Sequence, residues 1–138
     1  MAERGSGRPL PRVDEESRGW FEGLARHELW LQRCAACGAL RFPPRALCPV
    51  CLSDAVQWIP SRGRGRVYSF TVTHQNHAPG FREMVPYVLA LVDLEEGVRL
   101  LTNVVRCAPD AVRVGMPVEV VFDDVAPGVT LAKFRPAT

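Results

Sequence analysis

Four cysteines stand as Cys34-Ala35-Ala36-Cys37 and Cys48-Pro49-Val50-Cys51, two C-x-x-C pairs with ten residues between them. Four thiolates close a tetrahedral shell around a Zn²⁺ ion and leave no open position, so such a site is structural and not catalytic. Gly38 directly follows the first pair and suits the positive φ that a tight metal-binding turn requires. A lone C-x-x-C would leave a thioredoxin-like redox motif open. Two pairs separated by a short hairpin predict a bound metal ion at Cys34, Cys37, Cys48 and Cys51. Zinc is the expectation and iron the alternative, because tetrahedral sulfur sites suit both. The pattern argues against redox or hydrolytic chemistry at this place.

Other groups capable of chemistry do not converge. Cys107 lies in Val105-Arg106-Cys107-Ala108-Pro109, away from the pairs, and reads as a small buried residue rather than a nucleophile. His74 and His77 are three apart, with no third ligand at a supporting spacing, and a hydrogen-bonding or surface role is expected. Asp123 and Asp124 adjoin, but neighbours in a strand point to opposite faces and cannot share a reacting atom. No G-x-S-x-G, phosphate loop or dinucleotide fingerprint occurs. The sequence therefore predicts no catalytic residues.

Charge is uneven. Residues 1–66 hold eleven Arg against seven acids, and residues 67–138 hold five Arg and one Lys against eight acids. Arg41, Arg45, Arg62, Arg64 and Arg66 gather the basic share. A solvated face is the default for them; the sharper alternative is an anion site, because guanidinium forks match phosphate oxygens.

The elements that would position these residues follow from pattern. Residues 1–16 are Arg-, Gly- and Pro-rich and read as a disordered lead. Ser17 is placed to cap a short helix through about Arg26, with Trp20, Phe21 and Leu24 on one face. Residues 28–33 alternate as a strand running into the first cysteine pair, Leu40-Arg41-Phe42 leads out of it, and Trp58-Ile59 close the unit. Residues 17–61 thus form a helix and a rubredoxin-like zinc ribbon, too small to fold without its metal. Residues 62–138 carry five strand patterns, 66–74, 87–94, 98–105, 118–125 and 130–134, with a connector at 110–117 that allows one helical turn. Five short strands with a longer break after the third predict a closed OB-type barrel, a small sandwich being the alternative. The fold class is mainly β.

At 138 residues and mean hydropathy −0.02 the chain has the composition of a globular domain. No apolar run approaches the roughly 20 residues of a membrane span. The N-terminus lacks the apolar core of a signal peptide, and thiolates reserved for a metal fit a reducing compartment, so a cytoplasmic location is expected.

Set in order, the residues carry a family resemblance. Trp20-Phe21-Glu22, Leu31-Gln32-Arg33-Cys34, Phe42-Pro43-Pro44-Arg45 and Cys48-Pro49-x-Cys51 make the first half. Gly65-x-Val67-Tyr68-Ser69-Phe70, Pro86-Tyr87-x-x-Ala90-Leu91-Val92, Val114-Gly115-Met116-Pro117-Val118 and Phe134-Arg135-Pro136 make the second. This resembles the small zinc-ribbon plus OB-fold proteins, long catalogued as a domain of unknown function, that accompany thiolase-like enzymes, and it covers roughly residues 17–136. The resemblance implies structural zinc and a hetero-oligomer with a separate thiolase-fold chain that performs the catalysis. The partner would be an acetyltransferase, a condensing enzyme or a steroid side-chain aldolase of lipid metabolism, and acyl-CoA would lie at the shared site.

The expected function is thus a non-catalytic accessory subunit. The loop 75–85, with His77, Phe81 and Met84, is a candidate contact for the partner or its acyl substrate, the equal alternative being that its residues fold back on the barrel's end, and Arg62, Arg64 and Arg66 are candidates for CoA phosphates. The helix face with Trp20 and Phe21 is a second candidate interface, capping of the barrel or ribbon being the default for it. The alternative is a nucleic-acid-binding protein, since ribbons and OB barrels both take that role. The barrel half is acidic, however, and its aromatics are not interleaved with basic residues.

Overall fold

The computed structural model describes residues 7–137. Helix α1 (Arg18–Ala25) is followed by strands β1 (Leu29–Cys34), β2 (Leu40–Arg41) and β3 (Val56–Ser61), which form a three-stranded antiparallel sheet in the order β2-β1-β3. Strands β4 (Arg64–Thr73), β5 (Tyr87–Leu94), β6 (Arg99–Val104), β7 (Pro117–Ala126) and β8 (Val129–Pro136) close a barrel in the order β4-β5-β6-β8-β7. Closure settles the fold as an OB-type barrel, and the sandwich alternative falls. The connector holds a 3₁₀ turn at Pro109–Ala111.

Capping of α1 differs from expectation. Ser17 makes no side-chain cap bond. Instead Asp14 Oδ1 accepts from the Ser17 amide at 2.9 Å and from the Ser17 hydroxyl at 2.8 Å, while Ser17 Oγ accepts from the Asp14 amide at 3.1 Å. The carboxylate caps a preceding turn and places negative charge at the helix start, where the macrodipole favours it. At the other end the Glu28 amide bonds Gly23 O and the His27 amide bonds Leu24 O. This is the paired-bond termination that usually employs glycine in the left-handed region; here His27 takes it, at φ 61°. Of the expected lead, residues 1–6 lie outside the described residues, and Gly7 and Arg8 lie against Gly80 of the β4–β5 loop.

Strict alternation over residues 66–74, as the sequence pattern reads, would set Val67 on the face of Ser69, Thr71 and Thr73. The structure inserts a bulge at Tyr68. Val67 pairs with Val92, and the next register pair is Ser69 with Leu91. One unpaired residue flips every later side chain. Val67 is therefore buried with Val92, while Phe70 and Val72 take the inward pairings beyond it and Ser69 and Thr71 stay exposed.

Burial of apolar area is the main stabilising term, and the core is continuous. Val67, Val88, Ala90, Val92, Leu100, Val104, Val118 and Phe134 belong to the same buried cluster as Trp20, Leu24, Leu29 and Leu31. The helix thus joins ribbon to barrel, and Trp20 meets Phe42 edge-on at 4.8 Å.

Candidate metal centre and flanking surfaces

The two cysteine turns repeat one backbone pattern. In the first, the Cys34 amide bonds Ala39 O and the Gly38 amide bonds Cys34 O, both at 2.8 Å. In the second, the Cys48 amide bonds Ser53 O at 2.9 Å and the Leu52 amide bonds Cys48 O at 2.8 Å. Each turn aims amides at its leading sulfur: Cys37 N lies 3.4 Å from Cys34 Sγ, and Val50 N lies 3.4 Å from Cys48 Sγ. Each also carries a positive φ at its fifth position, 81° at Gly38 and 66° at Leu52.

The turns bring the sulfurs together. Cys34 Sγ lies 3.6 Å from Cys51 Sγ, Cys37 Sγ lies 3.7 Å from Cys48 Sγ, and all four lie within 4.8 Å of one another. A zinc ion bound at about 2.3 Å to each sulfur of a tetrahedron requires sulfur separations of about 3.8 Å. The donor set fits zinc in type, number and spacing, and it presents a closed structural site as expected. Cys34 and Cys48 are buried, and Cys37 and Cys51 face outward.

Four thiols this close cannot all ionise unaided. The Cys37 amide draws the Cys34 thiol down to about 6, and the Cys51 amide lowers Cys48. Cys51 is pushed up to about 12: the Ser53 amide favours its thiolate, but the Cys34 sulfur, burial and the Cys37 and Cys48 sulfurs together outweigh that help. A divalent cation resolves the conflict by stabilising all four thiolates together.

A staple missed by sequence holds the second turn in place. Arg41 is buried; its Nε donates to Gln32 Oε1 at 2.9 Å and its Nη2 donates to Arg45 O at 2.8 Å. Gln32 Oε1 also accepts the Arg45 amide at 2.8 Å. Arg41 therefore positions the segment that delivers Cys48 and does not belong to a solvated face. Only its place beside Gln32 across β1 and β2 shows this, and that register is invisible before folding.

The other candidates divide. Arg64 and Arg66 are exposed and line one open cavity of about 370 Å³, together with Asp93 and Glu95. Arg66 Nη1 donates to Gly115 O at 2.8 Å. Arg62 is not with them: it lines a separate cavity with His27, Glu28 and Trp30, and its amide donates to Glu96 Oε2 at 2.9 Å. His77 is exposed, whereas Phe81 and Met84 are half-buried in successive turns, with Phe81 6.4 Å from the Tyr87 ring. Desolvation raises the thiol of Cys107, which packs against the core. Asp123 and Asp124 point apart as expected, the first pairing with Lys133 at 2.6 Å and the second accepting from the Thr130 hydroxyl at 2.6 Å.

Family models described as the ChsH2 rubredoxin-like zinc ribbon domain and the ChsH2 C-terminal OB-fold domain match residues 21–57 and 58–123. A solved chain titled "Ltp2-ChsH2(DUF35) aldolase" superposes with a TM-score of 0.85 at 44% identity, over 93% of this chain and 99% of that one. The chain belongs to the ChsH2 (DUF35) family. Its metal is accordingly the structural zinc of that family's ribbon.

Among curated members of the ChsH2 family, a "DUF35 domain-containing scaffold protein" of Methanothermobacter thermautotrophicus is 36% identical, over 82% of this chain and 85% of that protein. A "Benzoylsuccinyl-CoA thiolase subunit BbsA" of Thauera aromatica is 31% identical, over 75% of this chain and 71% of that protein. A "Probable enoyl-CoA hydratase alpha subunit" of Thermomonospora curvata is 45% identical over 94% of this chain, which spans only 40% of that protein. Among the described residues, no helix is long and apolar enough to cross a membrane.

Proposed function

We propose that this chain is a non-catalytic accessory subunit that assembles with a separate thiolase-fold enzyme of acyl-CoA metabolism and helps form its acyl-CoA pocket. The observation that carries the reading is the match, across nearly the whole of both chains, to a ChsH2 (DUF35) chain titled as part of an aldolase. The names of the scaffold protein and of the thiolase subunit point the same way. The zinc site supports it too, because a closed tetrathiolate shell offers no position for substrate or water. Within this reading Arg64 and Arg66 are the arginines assigned to CoA phosphates. Both guanidinium groups lie on the outer side of β4, and such forks bind phosphate oxygens in pairs. Phe81 and Met84 are assigned to the wall of the acyl site.

Co-expression with the thiolase-fold proteins of the same genome tests the proposal. A stable complex that cleaves or forms acyl-CoA, with neither activity in the purified chain alone, is the expected result. Turnover of an acyl-CoA thioester by this chain in isolation would sink it. The Arg64→Glu and Arg66→Glu variants should raise the KM of the complex for acyl-CoA while leaving assembly intact.

A further inference from the structure

Resting on that reading, we propose that the tip of the second cysteine turn, formed by Leu47, Val50 and Leu52, is the surface that docks onto the thiolase-fold partner. The partner surface it fits is an apolar depression bordered by a Lys or Arg side chain.

Three observations converge. Val50 and Leu52 are each 72% exposed and Leu47 is 52% exposed, all within six residues of one turn. Among the large apolar side chains that the described residues expose, these stand with Val114 and Leu101 as the most open. Exposing apolar area in this way forgoes the stabilisation that burial gives.

The second observation is conformational. Leu52 occupies the fifth position of its turn, which in the first turn belongs to Gly38, and both have positive φ. A branched side chain in the left-handed region costs about 1–2 kcal/mol that glycine avoids. Folding alone would place glycine here, since the side chain also buries little. Strain held together with exposure points to a use outside the fold.

The third is charge. No charged side chain occurs in residues 34–40 or 46–53. Zinc with four thiolates carries a net charge of −2, and Cys37 and Cys51 face outward. Arg33 approaches Gly38 on the first turn, while the second turn has no cation of its own. Apolar side chains around an exposed anionic centre complement an apolar surface with a cationic rim. They repel nucleic acid and anionic lipid. Because the metal holds the turn rigid, docking requires little ordering of the chain, which favours affinity.

The test uses the full chain with the thiolase-fold protein captured by co-expression, read by titration calorimetry, with zinc content measured alongside. Val50→Asp and Leu52→Asp should weaken binding at least tenfold while zinc stays at one per chain. Leu101→Asp, on the outer face of the barrel, should not weaken it. Leu52→Gly is the sharper variant: it should raise the unfolding midpoint and still weaken binding. Unchanged affinity in Val50→Asp and Leu52→Asp, or lost affinity in Leu101→Asp alone, overturns the docking assignment and leaves the accessory role standing. Failure of the unaltered chain to bind any thiolase-fold protein overturns that role instead. Sedimentation of the chain with phosphatidylcholine vesicles, lost in Val50→Asp, would overturn the protein partner in favour of a membrane.

Discussion

His27 Nε2 lies 2.9 Å from Asp124 Oδ1 across 97 residues, and the His27 imidazole stacks on Phe122 with ring centres 5.0 Å apart. The residue that ends α1 is thereby locked to strand β7 of the barrel. Beside it, Glu96 in the β5–β6 turn accepts from Ser61 Oγ at 2.8 Å, so the junction of ribbon and barrel is tied twice. These ties fix the orientation of the zinc turns relative to the barrel.

The lock makes acid stability predictable in sign. The Thr130 hydroxyl and then His27 hold Asp124 below the ordinary value of 3.8, and Arg99 does the same for Asp93. A depressed folded pKa contributes stability above the unfolded value, which is lost as pH falls through the folded one. The urea midpoint should drop from pH 4 downward. In Asp124→Asn the drop should be shallower, the cysteine contribution being common to both proteins. Parallel midpoint curves for the two proteins between pH 5 and pH 3 would contradict the lock.

Loss of one metal ligand should unfold the ribbon. Cys34→Ser and Cys48→Ser are expected to purify without zinc and to lose the far-UV signature of residues 29–61, because binding free energy is folding free energy in so small a unit. Elemental analysis with circular dichroism checks this. A folded, metal-free variant would show that the core alone suffices.

Gly65 is the glycine whose hydrogen matters most. A Cβ there would drive into the backbone carbonyl of Asp93 on the paired strand, and backbone cannot yield as a side chain tip can. Gly65→Ala should destabilise the barrel by about 1–3 kcal/mol, the range of overpacking. Urea unfolding of the zinc-loaded protein measures it, and a change under half of that would mean the strands separate easily.

Phe134 is fully buried, and β6 and β7 both pair with it, through Val104 and Val120. Truncation to alanine should cost about 3–5 kcal/mol, detected as a large fall in urea midpoint at unchanged zinc content.

Much of this was legible in the sequence because local signals agreed. The cysteine spacing specified the metal shell, and the five barrel strands were written as apolar runs set off by Pro and Gly. Three features were not legible. The Tyr68 bulge depends on which neighbour β4 pairs with, so an unbroken alternation concealed it. Ser17 looks like a cap, yet its hydroxyl is engaged by Asp14 three residues earlier and makes no bond to the helix amides. Arg41 looked like surface charge until β1 and β2 set it beside Gln32. Two of these features are fixed by strand register, and the third by a local pairing of two polar side chains that pattern alone does not decide.

Strands β6 and β8 meet in parallel through a single register pair, Val104 with Phe134, supported by the Val105 amide on Phe134 O at 2.7 Å. Every other junction of the barrel is antiparallel, and the remaining ones run for at least three register pairs. The barrel is thus a ribbon of strands closed by its shortest ladder, with the Thr102 hydroxyl donating to Ala132 O at 2.9 Å as a second tie across the seam. Its natural line of parting runs between β6 and β8, so partial opening would peel the β7–β8 hairpin away from the β4–β6 meander while the zinc unit stayed closed. Hydrogen exchange at Val105 should accordingly precede exchange in the middle of β5.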